Sequence, residues 1–361
     1  MVPAGAVTPD PGTPPAVAAT TDLATPPAAE PDLAGPPTAP SAAPPARTPW
    51  RAVLGAAIVA TLVNPASWAF GLAGFLAGGG LLLVAWPILV LPTPTGLQSL
   101  FGGPAMTLVF GTVSTTLVLL IAGGVTAVVA VVVAGSWVGG WAERQGIGVA
   151  LEAAADEGLL RGPAPGLAGA PGAGRVTIVR LLSLLPVLVV LGLAWTPVYQ
   201  AAYRQLTVPD ELVTPLPIRV MLDVPDLVAA IVVVWLLSDA AGAVGVRRLV
   251  LERRGVMASW LLGWADLVRS PLRVLGTQLV GLFVLVLAVA PAMLGVGAGW
   301  GRAREALVDG RAPITIVAVV ATWVAMWLGG LVLAGVAAAF RNAAFTFLAM
   351  ARRHPGDGPT V

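Results

Sequence analysis

Between Arg51 and Glu143 the chain runs for 91 residues without an Asp, Glu, Lys, Arg or His. A soluble domain must solvate its surface at much shorter intervals, whereas hydrocarbon accepts an uncharged stretch because a helix satisfies its own backbone groups. About 20 apolar residues cross a bilayer as one helix, so this run alone has room for two spans. The expected fold class is all-α: a polytopic integral membrane helix bundle. Apolar residues make up 57% of the 361 and charged residues 11%, which extends that expectation to the whole chain.

The residue inventory removes whole classes of chemistry. All 20 basic residues are Arg, which with the excess of Ala, Gly, Pro and Val reflects a GC-rich bacterial genome. Without Lys there is no Walker A loop of the usual kind, no Schiff base and no pyridoxal anchor. Without Cys there are no disulfides and no thiolate metal sites. The lone His354 lies after the last expected span, which excludes an HExxH zinc site and an intramembrane Ser/His pair. There is no GxSxG, and Gly295–Gly301 does not fit GxGxxG. No catalytic, cofactor or metal residues are therefore assigned, and a net charge of +2 gives no reason to expect a nucleic-acid partner. The expected partner is the lipid bilayer, with a membrane protein or a second copy of the chain as further possibilities.

Residues 1–48 are rich in Pro, Ala and Thr and lack bulky apolar periodicity, so they are expected to form a disordered cytoplasmic tail. The segment lacks the basic start and early apolar core of a signal peptide. It reads as a passive tether or, through Pro44–Arg47, as a docking tail. Residues 49–350 form the expected six-span domain, followed by a short cytoplasmic tail, 351–361. The spans are placed at 66–91, 105–138, 181–200, 225–246, 272–299 and 313–340. A helix starting at Arg51 would raise the count to seven; Asn64–Pro65 argues against it by breaking the helix there, and seven spans stands as the alternative. Pro87, Pro92, Pro186, Pro197 and Pro291 sit in or beside the odd-numbered spans and are expected to terminate helices. With six spans, fifteen Arg fall on the side of both termini and five (Arg204, Arg219, Arg302, Arg304, Arg311) on the other. The positive-inside rule then puts both termini in the cytoplasm of a cell inner membrane.

Short stretches repeat. Glu143-Arg144-Gln145-Gly146 after the second span echoes Glu252-Arg253-Arg254-Gly255 after the fourth, and an acid follows each, Asp156 and Asp266. Leu62-Val63-Asn64-Pro65 likewise echoes Leu267-Val268-Arg269-Ser270-Pro271. These matches imply a unit of one cytoplasmic interfacial segment plus a two-span hairpin, used three times; chance is the alternative. The clearest interfacial segment is 250–268. Val256, Met257, Trp260, Leu261, Trp264, Leu267 and Val268 share one helical stripe, and Glu252, Gly255, Ser259, Gly263, Asp266 and Ser270 lie opposite. Such an amphipathic helix would lie in the headgroup plane, its Arg residues near anionic lipid, as a lipid sensor, a docking ridge or a plain elbow. The stretch Glu252–Gly276, ERRGVMASWLLGWADLVRSPLRVLG, resembles a recurrent segment of bacterial membrane proteins related to the membrane domain of glycerophosphodiester phosphodiesterases. That resemblance implies a helical membrane domain whose own activity is poorly understood; the phosphodiesterase catalytic domain of some relatives, with its His and acidic metal ligands, is absent here, so the resemblance transfers no catalytic residue.

Asp239 is the candidate polar site. It lies 13 residues after Asp226, roughly 20 Å along a helix and well inside the hydrocarbon. A carboxylate there marks an ion or proton path, a structural ion pair, or a protonated group bonded to a neighbouring helix. Arg341 near the end of the sixth span is the nearest counter-ion, with Asn342 beside it; Arg180 and Arg247 are alternatives. Gln278, Ser114, Thr115 and Thr116 are suited to interhelical hydrogen bonds, and Gly74/Gly78, Gly330/Ala334 and Gly335/Ala339 to close helix packing. In the loop 201–224, Asp210, Glu211 and Asp223 match no known calcium spacing. The functional expectation is a non-enzymatic accessory or membrane-organising protein; the alternative is a small-solute or lipid transporter using Asp239.

Overall fold

The computed structural model describes residues 49–85, 113–156, 169–207, 216–310 and 312–352. The expectations for the 1–48 tail, for Pro87, Pro92, Asp210, Glu211 and for His354 lie outside the described residues. Within them every element is helical. In chain order these are α1 (Trp50–Val63), α2 (Ala66–Phe75), a π-helical turn (Leu76–Gly80), α3 (Leu81–Ala85), α4 (Thr115–Asp156), α5 (Ala173–Thr207), α6 (Leu216–Asp223), α7 (Pro225–Glu252), α8 (Val256–Arg269), α9 (Pro271–Val308) and α10 (Pro313–Met350).

Among the described residues, six helical stretches are long and apolar enough to cross a membrane: Ala66–Leu83, α4, α5, α7, α9 and α10. The 14 residues of α1 are apolar but too few, and Asn64 ends that helix as expected, its side-chain oxygen accepting from Ala66 N at 3.2 Å. The fold is therefore an all-α polytopic bundle. Its long helices touch in a closed circuit, α2 to α4, α5, α7, α9, α10 and back to α2.

Three sequence expectations need correction. The second span does not stop near 138: α4 runs unbroken to Asp156, 42 residues or about 63 Å. Likewise α5 begins at Ala173 and α10 continues to Met350. The hydropathy signal ends at the first charges, whereas the helices continue because their extensions pack: Ala142, Ile147, Ala150, Leu151 and Ala154 are buried, as are Val176, Val179 and Ala343–Leu348. Pro186, Pro197 and Pro291 do not terminate helices either, but sit inside α5 and α9, which continue past them. Pro225, Pro271 and Pro313 instead open α7, α9 and α10, where a missing N–H costs nothing.

Burial is concentrated at one end of the bundle, where α4 ends and α5 begins. Toward the other end α5 and α9 keep only scattered buried positions such as Ala201, Val296 and Ala303, and residues 121–134 of α4 are exposed all round, Val128 and Val131 at 64% and 71%. A helix that is apolar on every face and packed on none has hydrocarbon as its solvent.

The proposed repeat is visible in two copies. Helices α1 and α8 each have 14 residues, end at Asn64 and Ser270, and are followed by Pro65 and Pro271. Their buried positions fall in the same register: Val53, Ala57, Ala60 and Thr61 in one, Ser259, Gly263, Asp266 and Leu267 in the other. Helix α1 packs on α10 and α8 packs on α7, each on the last long helix of a preceding hairpin when the chain is read as a ring. The segment preceding α5 falls partly outside the described residues. Ser259, Gly263 and Asp266 face the bundle, while Met257, Leu261 and Val268 are exposed. Leu267 leaves the outward stripe and is buried.

Candidate functional site

Asp239 lies at the junction of four helices. Its Oδ1 accepts from Arg180 Nη1 of α5 at 3.0 Å; its Oδ2 accepts from Gln278 Nε2 of α9 at 2.9 Å and from Arg341 Nη2 of α10. Arg341 also donates to Gln278 Oε1 through Nε at 3.2 Å and Nη2 at 3.0 Å. The expected counter-ion is thus in place, and one of the two alternatives, Arg180, shares the role. Two small residues make the reach possible. A Cβ on Gly242 would stand 2.6 Å from Ser183 Oγ, so α5 and α7 approach closely where Arg180 crosses. A Cβ on Gly281 would stand 2.9 Å from Arg341 Cγ, so its absence leaves the trough in which that side chain lies.

The network continues into α4. Arg180 grips Glu143 with two parallel bonds, Nε to Oε2 at 2.6 Å and Nη2 to Oε1 at 2.7 Å, the bidentate geometry favoured by guanidinium and carboxylate. Arg247 Nη1 donates to Glu143 Oε1 and, at 2.9 Å, to Ala243 O. Its Nη2 donates to the Asn342 side-chain oxygen and, at 3.2 Å, to the Asn342 carbonyl. Phe345 lies between Arg247 and Arg341, its ring centre 5.6 and 5.7 Å from the two guanidinium carbons. Five helices, α4, α5, α7, α9 and α10, are joined through seven side chains.

Glu143 was missed by sequence reasoning, which placed it in the cytoplasmic interfacial segment after the second span. A signal was present: Ile147, Ala150, Leu151 and Ala154 keep helical spacing beyond it, so the helix carries Glu143 into the bundle. All four carboxylate oxygens of Glu143 and Asp239 accept hydrogen bonds from Arg or Gln. Three guanidinium groups face two carboxylates, and Arg247 Nε is buried without an acceptor. Beside the network, Thr61, Ser67, Gly146, Ala339 and Asn342 line a cleft with room for about one water molecule.

A second group of charges fastens α8. Arg248 donates to Asp266 Oδ2 through Nε at 2.9 Å and Nη2 at 2.8 Å, and through Nη1 to Glu252. Arg352 donates to Ser270 Oγ at 2.7 Å and stands 3.8 Å from Asp266. At the opposite end of the molecule, Arg204 pairs with Asp223 at 2.7 Å and Gln205 donates to it at 3.0 Å. Those two hydrogen bonds, Arg204 first, hold the Asp223 carboxyl below its ordinary value of 3.8. Asp223 is thus engaged by cationic and amide donors, and no group of three potential metal-binding side chains occurs among the described residues. Ser114 Oγ caps α4 by accepting from Leu117 N at 3.1 Å, and Gly335 and Ala339 receive α2 at Gly71. Compared with family models, with curated proteins and with solved structures, the chain matches none.

Proposed function

We propose that the chain is a multi-pass inner-membrane protein that works without catalysis, as an accessory or membrane-organising protein. Its packed end, with both termini, lies in the cytoplasm, as the fifteen-to-five distribution of Arg supports. The observation that carries the reading is the pairing of Glu143 and Asp239: every carboxylate oxygen accepts from a neighbouring helix, as in a clamp. A coupling group that shuttles ions or protons needs a free position, whereas a clamp needs none. In this reading α1 and α8 rest on the bilayer surface, and their exposed residues offer contact to lipid or to a membrane partner. The resemblance of Glu252–Gly276 to the membrane domain of glycerophosphodiester phosphodiesterases supports the same placement, of a helical domain acting beside rather than as an enzyme.

A second reading, a small-solute or lipid transporter, draws on the partial exposure of Asp239, at 20% of its side chain, and of Arg341, at 26%. Reconstitution of the Asp239→Asn variant separates the two. A proton- or ion-coupled flux in wild-type vesicles that the folded variant loses overturns the accessory reading. Recovery of a stoichiometric membrane partner that depends on the exposed face of α8 supports it.

A further inference from the structure

The corner where α8 turns into α9, beneath the end of α10, carries far more positive than negative charge. Arg248, Arg269, Arg273 and Arg352 gather there around a single acid, Asp266. Asp266 Oδ2 is already taken twice by Arg248, so Arg352 reaches that carboxylate only at 3.8 Å. Arg352 is nonetheless mostly enclosed, with 16% of its side chain exposed. Burial lowers its affinity for the proton; Asp266 opposes this, and the neighbouring Arg248 and Arg273 add to it. Arg269 and Arg273 stand exposed at the end of α8 and the start of α9. Next to them the surface is apolar: Val268 and Leu272 are 77% and 88% exposed.

We propose that this corner binds the phosphate headgroup of an anionic phospholipid, seated by Arg269, Arg273 and Arg352, with the acyl chains along Val268 and Leu272. Charge complementarity selects the occupant: a basic surplus beside a broad apolar face fits an anionic amphiphile, and free phosphate would leave the apolar part unused. The equivalent corner of α1 provides a contrast. Its Leu62 and Val63 are 61% and 58% exposed, yet Arg51 is its only charge, so it meets lipid without selecting a headgroup. The inference rests on the proposed position of α8 at the bilayer surface.

The test is native mass spectrometry of the full chain released from micelles containing equal phosphatidylglycerol and phosphatidylcholine. The wild type is expected to retain phosphatidylglycerol preferentially. Arg269→Gln with Arg273→Gln is expected to lower that retention about thirtyfold, at roughly 1 kcal/mol per basic group near an anionic surface. Arg269→Lys with Arg273→Lys should keep it, and Arg302→Gln with Arg304→Gln, at the opposite end, should leave it unchanged. Should the double Gln variant not fold, the single Arg273→Gln change on the exposed first turn of α9 carries the comparison. Equal retention of the two lipids by the wild type, or equal losses at the two ends, overturns the inference. Because the chain has no Cys, Leu261→Cys reports separately on the underlying placement. Its labelling by a charged maleimide in intact membranes overturns that placement and the proposed function with it. Protection of that thiol without lipid preference overturns the headgroup site alone.

Discussion

Arg247 is the most enclosed charge of the network, with 2% of its side chain exposed, and it joins Glu143 on α4 to Asn342 on α10. Removing one member of a buried pair strands the other, which costs about 3–5 kcal/mol, whereas replacing both by apolar or neutral groups is often tolerated. Glu143→Gln, which leaves the enclosed Arg247 without a carboxylate, is therefore expected to lower unfolding stability by about that amount in denaturant titrations followed by circular dichroism. Adding Arg247→Met to it should recover part of the loss, because the stranded cation is then gone and Arg180 still has Asp239. A different response is expected at Asp223. Its folded-state value is depressed, so its contribution is complete above the unfolded value of 3.8 and disappears as the pH falls through the lower folded one. Amide exchange of α6, compared at each pH with Asp223→Asn, should converge with that variant only in the acid range. Asp239, Gln278, Arg341 and Asn342 were legible in the sequence because a polar group in an apolar run has few partners to choose from. Glu143 was not, because hydropathy stops at a charge while helix packing does not.

Helix α8 shows what a sequence pattern reveals about an element and what it leaves out. Its stripe of large apolar residues separated from a face of Ser, Gly and Asp, and that division survives in part: Met257, Leu261 and Val268 are exposed and Ser259, Gly263 and Asp266 buried, while Leu267 turns inward. Which face meets protein was not written in the pattern, since among membrane helices small residues make the close contacts and large ones meet lipid. Gly263 backs onto the Ala241 carbonyl and stands 3.0 Å, from the position a Cβ would take, from the Gly245 amide. Gly263→Leu is expected to lift α8 from α7 and destabilise the protein by about 1–3 kcal/mol. The accompanying sign is faster tryptic cleavage at Arg253, Arg254 and Arg269, which flank the helix. Leu261→Ala, on the exposed side, should leave that cleavage rate unchanged. The register shared by α1 and α8 was only faintly readable, through the Asn64–Pro65 and Ser270–Pro271 breaks, because their inward residues differ in kind while matching in position.

For the molecule as a whole, the number of spans followed from composition, and their lengths did not. The reason is that α4, α5 and α10 go on packing past the first charges, where the hydropathy signal ends. Single cysteines at Val128 and Val131 are accordingly expected to resist a charged maleimide in intact membranes and to react after denaturation in detergent; labelling of both in membranes would show water around α4. One helix of the six departs from the common plan. The first long stretch passes through the π-helical turn at Leu76–Gly80, where Gly79 takes φ 101°, a conformation that favours Gly alone. The other five keep helical φ/ψ throughout, α5 and α9 even across their internal prolines, while this one has a joint. Deformation of the first span by a thinning or bending bilayer will therefore concentrate at Gly79, making it the most compliant stave of the bundle.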